Sequence, residues 1–165
     1  MKYNPMQLFK KAGLKYCLML LMLVMVAQAQ QSAGALYDAA SKGDKAALAQ
    51  LKALGNKGDT DAGVFLGSMF FNGTSVPKDS VQAASWLRKS ANQGDALAQN
   101  NLALMYEYGV GVPRDLVIAY MWWNLAAAQG DEIAKKLRGL LEKIMTPAQI
   151  AEGQRLCREW KPKKP

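Results

Sequence analysis

Histidine is absent from the 165 residues, which removes imidazole bases, serine–histidine triads and the commonest metal ligand together. Cysteine is nearly absent: Cys17 sits in an apolar N-terminal stretch and Cys157 near the C-terminus. No disulfide framework and no cysteine–histidine nucleophile can be built from these. The longest unbroken apolar run, Cys17–Ala27, falls short of the roughly 20 residues a membrane-spanning helix needs. Gly109 and Gly111 are not followed by a Gly-Lys-Ser/Thr sequence, so they do not make a phosphate loop. Carboxylate pairs are then the catalytic chemistry still open in principle, and the sequence points to no catalytic residue, cofactor site or metal site.

What the N-terminus does have is positive charge and grease. Residues 1–29 carry Lys2, Lys10, Lys11 and Lys15 and no acid, then the Cys17–Ala27 run, then Ala-Gln-Ala at 27–29. A basic start, a short apolar core and an A-x-A ending describe a secretory signal peptide, with cleavage expected before Gln30. The protein is thus expected to be exported, to the periplasm or beyond. Without residues 1–29 the chain keeps 17 basic and 13 acidic side chains, a net of +4, and Cys157 alone. Residues 30–132 are net −2 and residues 133–165 net +6, an asymmetry that leaves the C-terminal end able to touch an anionic surface weakly. Nucleic acid is not expected, since no basic and aromatic residues interleave.

An internal repeat organises the rest. Shifting Asp61–Asp95 by 36 residues onto Leu97–Asp131 gives 14 identities in 35 positions, where unrelated segments give about two. A period of this length means a stacked array of supersecondary units. Ala62, Leu66 and Met69 align with Ala98, Leu102 and Met105 at helical spacing, the buried stripe of a first helix. Gly73 and Gly109 stop that helix, Pro77 and Pro113 carry a loop, and Asp79 and Asp115 cap a second helix. Its inward residues include Trp86 and Trp122, set among alanines. Gly94-Asp95 and Gly130-Asp131 end it and cap the next first helix. Trp123, where the first copy has Leu87, is expected to be partly exposed.

These residues resemble the Sel-one-like repeat, a relative of the tetratricopeptide repeat. The carriers are L-A-L-M-Y at 102–106, G-V-G-V-P-R-D at 109–115 and A-Y-M-W-W-N-L-A-A-A-Q-G-D at 119–131. The earlier copy has Thr74 and Ser75 in place of Val110 and Gly111, which puts its loop geometry in question. The resemblance implies an all-α fold, a right-handed α/α superhelical solenoid of helix pairs, acting as an adaptor in protein assembly. Some relatives carry a cysteine pair in each unit; this chain does not.

The expected organisation is a signal peptide at 1–29, a degenerate helical cap unit at 30–59, repeats at 60–95 and 96–131, a C-terminal helix pair at 132–160, and a frayed basic tail at 161–165. Within the pair, a helix runs to about Met145, and Thr146, Pro147 and Gln149 start the last one with a capping box. Ile150, Leu156 and Trp160 are expected to cover the open end of the stack.

The first helices of successive units line the concave face of such arrays. Their residues off the buried stripe, Val64, Ser68 and Phe71 in one repeat and Asn100, Leu104 and Glu107 in the next, are the expected binding surface for a peptide or another protein. The sequence thus points to a non-catalytic interaction scaffold of the bacterial envelope. Two other readings stay open: a cell-wall-directed hydrolase built on carboxylates, and an effector docking on anionic surfaces through its basic end. Asp79, Asp95, Asp115 and Asp131 are read as helix caps, not acids for catalysis.

Overall fold

The computed structural model describes residues 32–163, and every regular element among them is an α-helix. Eight follow in chain order: α1 (Ala33–Ser41), α2 (Lys45–Asn56), α3 (Thr60–Asn72), α4 (Ser80–Asn92), α5 (Ala96–Tyr108), α6 (Leu116–Ala128), α7 (Glu132–Leu141) and α8 (Pro147–Glu159). The expected signal peptide at 1–29, and Lys164 and Pro165 of the tail, lie outside the described residues. No described helix is long and apolar enough to cross a membrane.

Capping chemistry sets the helix starts. Asp59, Asp95 and Asp131 each accept the N–H of the alanine three residues on, while Asp44, Asp79 and Asp115 each accept two successive N–H groups. A carboxylate in this place satisfies donors that the first turn leaves without partners and meets the positive end of the helix dipole. The four aspartates expected to cap do so. Thr146 and Gln149 bond reciprocally at the start of α8, the expected capping box.

Two kinds of connection join the helices. Gly-Asp turns close α1, α2, α4 and α6, each with its glycine at φ between 94° and 101°. The longer loop, at 73–79 and 109–115, links the helices within a repeat. In each copy the glycine after the first helix is left-handed, and its N–H donates to Met69 or Met105. The loop is closed by Asp79 N–H on the Phe70 carbonyl in one copy and Asp115 N–H on the Tyr106 carbonyl in the other. The loop in question keeps its geometry: Ser75 adopts φ 58°, close to the 69° of Gly111. Between α1 and α2 the long loop is gone, and a Ser-Lys-Gly-Asp turn takes its place.

Small residues let the helices approach. Ala62, Ala98 and Ala134, one period apart, have no exposed surface, nor do Ala83 and Ala119. Leu66 and Leu102 are fully buried. The core has two clusters, one around Leu36, Leu51, Leu66 and Met69 and a larger one running from α3 to α8. Trp86 is half-buried and packs against both. Gly55 makes room for it, since a Cβ there would sit 2.9 Å from the indole. Burying such apolar surface contributes about 25 cal/mol for each Å², which is why these contacts hold the stack together.

Several expectations need correcting. Trp123 is fully buried, because its indole N–H finds an acceptor inside the core. The helix after Asp131 ends at Leu141 and residues 142–144 turn. The last two helices are not paired as in a repeat: α7 and α8 both pack on α6 and barely touch each other. Gly153 of α8 abuts the Tyr120 ring, where a Cβ would meet the ring at 2.5 Å. The described part of the tail is not frayed. Trp160 packs edge-on against Trp122 with ring centroids 6.3 Å apart, and Lys163 N–H donates to the Asn92 carbonyl at 2.7 Å. Ile150, Leu156 and Trp160, expected to cover the open end of the stack, pack on the larger cluster.

Candidate functional site

The first helices α3, α5 and α7 carry the candidate site, because position within the 36-residue period decides which side chains each leaves outside. Residues spaced i, i+7 and i+11 fall on one line of a helix. On α5 that line is Leu97, Leu104 and Tyr108; its equivalents are Asp61, Ser68 and Asn72 on α3, and Ile133, Leu140 and Ile144 at α7 and the turn after it. The line changes from polar to apolar along the chain.

Seven large apolar side chains are exposed among the described residues. Six of them, Phe71, Leu97, Tyr108, Ile133, Leu140 and Ile144, belong to the first helices or the turn that follows α7. Only Val81 lies on a second helix. Single exposed apolar residues are ordinary, but a contiguous set on one face marks a surface meant to be covered.

Between α3 and α5 this face sinks into a pocket of about 420 Å³, within the range of sites that hold ligands. Val64, Gly67, Ser68 and Phe71 form its α3 wall, and Leu87 of α4 is its floor. Asn101, Leu104, Met105 and Tyr108 form the α5 wall, with Val110 beyond. No carboxylate lines it. Gly67 is required here, since a Cβ would stand 2.7 Å from Leu87.

Of the six surface residues expected from sequence, Val64, Ser68, Phe71 and Leu104 come together in this pocket. Asn100 does not. It is 6% exposed, and its Oδ1 accepts the Trp123 indole N–H at 2.8 Å, a pairing that a buried indole demands. Glu107 stands outside the pocket and offers its main-chain carbonyl to Arg114 Nε at 2.8 Å. Leu97, Tyr108, Ile133 and Ile144 were missed by sequence reasoning, although their 36-residue spacing was there to find them.

Cys157 is held away from reactivity. It is half-buried, and that burial pushes its thiol up from the ordinary range, against the opposing hydrogen bond from Asn124. Asn124 in turn accepts Arg138 Nη1 at 2.6 Å, so the cysteine belongs to a polar joint where α6, α7 and α8 meet. Among the described residues no three Cys, Asp or Glu side chains gather as a metal site.

The Sel1 repeat matches residues 61–95 and 96–131. A Sel1 repeat protein from Oxalobacter formigenes is 32% identical with a TM-score of 0.62, over 72% of this chain and 96% of that one. A protective antigen present in uropathogenic Escherichia coli strains, displaying an SLR fold, is 30% identical with a TM-score of 0.71 over 81% of this chain. This chain spans 30% of that antigen's length. No curated protein matches.

Proposed function

Since the chain belongs to the Sel1 repeat family, whose repeats generally serve protein interaction, we propose that it is an envelope scaffold holding a protein or peptide partner on the face of α3, α5 and α7. It performs no chemistry of its own. One observation carries this reading: six of the seven exposed large apolar side chains among the described residues lie on these first helices or the turn after α7, and beside Phe71, Leu104 and Tyr108 the surface opens into a pocket. A partner's apolar side chains would leave water there, at about 25 cal/mol for each Å² buried. Placement in the periplasm rests on the N-terminal sequence alone.

The test is crosslinking in intact cells, followed by identification of what is captured, with the wild type set against Leu104→Asp and Tyr108→Asp. Tyr108 is 68% exposed, so its replacement leaves the fold intact, which circular dichroism verifies. Recovery of the partner falls at least about tenfold if the face binds it. Undiminished recovery with both variants overturns the proposal.

A further inference from the structure

Lys136 and Lys143 stand beside the apolar line of α7 and are both exposed. Neither side chain makes an ion pair or hydrogen bond, whereas Lys135 pairs with Glu132, and Arg138 with Glu142. Their positions are those of Asn100 and Glu107 one period earlier. Nothing packs within 4 Å of a Cβ at Gly139, on the same helix, where Gly67 receives Leu87 in the first repeat. This helix and the turn after it therefore present apolar side chains and two unengaged cations on ground that no element among the described residues covers.

Resting on the scaffold reading above, we infer that the partner segment is an acidic amphipathic helix lying along α5 and α7. Its apolar stripe covers Leu104, Tyr108, Ile133 and Leu140, and carboxylates about two turns apart face Lys136 and Lys143. The spacing is the reason for a helix. Lys136 lies on α7 and Lys143 follows seven residues later in the turn that closes it, a separation that carboxylates two turns apart on a facing helix suit. Anchors at i, i+3, i+4 and i+7 are how an amphipathic helix covers an exposed apolar line. Opposite charge at the rim fixes orientation and speeds association. A membrane would call for a cluster of 4–8 basic residues, and this stripe offers two unpaired ones.

Fluorescence anisotropy with labelled two-heptad peptides tests this on the full chain. One peptide has leucines on one face and glutamates flanking them; its counterpart has lysines in place of the glutamates. The acidic peptide should bind, more weakly as salt rises, and the Lys136→Glu/Lys143→Glu variant should lose about tenfold in affinity while taking up the basic counterpart. Both lysines are exposed, so the variant folds, with an unchanged melting temperature as the check. Equal binding of the two peptides, or an unaltered affinity in the variant, overturns the inference. So does sedimentation with phosphatidylserine vesicles that depends on these lysines without peptide binding. If the acidic peptide fails while a crosslinked partner still depends on Leu104 and Tyr108, this inference falls and the scaffold reading stands. A partner indifferent to Leu104 and Tyr108 sinks the scaffold reading itself.

Discussion

Repeat 1 and repeat 2 place the same backbone around different side chains, and the differences come in matched sets. Val64 and Leu87 of repeat 1 become Asn100 and Trp123 in repeat 2: an apolar contact is exchanged for a hydrogen-bonded one at 2.8 Å. Gly63 sits under Ser90, whose hydroxyl donates to the Thr60 carbonyl. One period on, Gln99 is fully buried, bonded to the Ala91 carbonyl and to Gln129, and Ala126 replaces the serine. The loops differ in the same manner. Gly111 lies against the Ser80 carbonyl, which a Cβ would strike, but Ser75 faces the cap unit, where its hydroxyl donates to the Ser41 carbonyl at 3.1 Å. Helix stops and caps hold their identity, whereas the left-handed loop position and the helix-contact positions change together with what they meet, because close-packed interiors tolerate exchanges that conserve packing and pairing.

The strongest way to break this pairing is Trp123→Leu, which imports half of the repeat 1 solution. It leaves a cavity and an Asn100 without its donor, and should cost about 4 kcal/mol in urea unfolding. Adding Asn100→Val completes the exchange, and the double variant should be more stable than the sum of the singles by about 1–2 kcal/mol. Strict additivity would mean that the two residues are not a unit. Next in size is the loop. Gly111→Ala forces a Cβ into the Ser80 carbonyl at a left-handed φ and should cost about 3 kcal/mol. Ser75→Gly relieves the same backbone conformation but loses a hydrogen bond, so stability should stay within about 0.5 kcal/mol.

The smallest effect separates the two loop caps. Asp79 is held below the usual aspartate range by the Gln82 main-chain N–H and then by its side-chain amide; repeat 2 has Ile118 there and no such amide. A depressed carboxylate stabilises the fold above the unfolded value of about 3.9, and that contribution is lost as pH falls through the folded value. Carboxyl titration by NMR should find Asp79 moving upward in Gln82→Ala. An unmoved titration would show that the amide is not what holds it.

Much of this was legible in the sequence because it depends on local rules. Glycine stops and aspartate caps each act within one turn of helix and recur with the 36-residue period, so the repeat boundaries and most helix limits follow from them. The fate of Trp123 was hidden, since it depends on Asn100 lying opposite across the helix interface. The direction of α8 was hidden as well: its capping box says where it starts, and only the Gly153 notch against Tyr120 says what it packs on. Four of the six expected surface residues line the pocket, but the wider apolar line escaped because Leu97 and Ile133 were not compared as equivalents.

The bond from Lys163 back to Asn92 turns the last stretch of chain into a strap over two helices. Stacked arrays ordinarily unzip from their ends inward, one unit after another. Here the strap ties the last helix to the close of repeat 1, so α8 cannot peel away until Trp160 lets go of Trp122, and that helix is bound into the cooperativity of the middle.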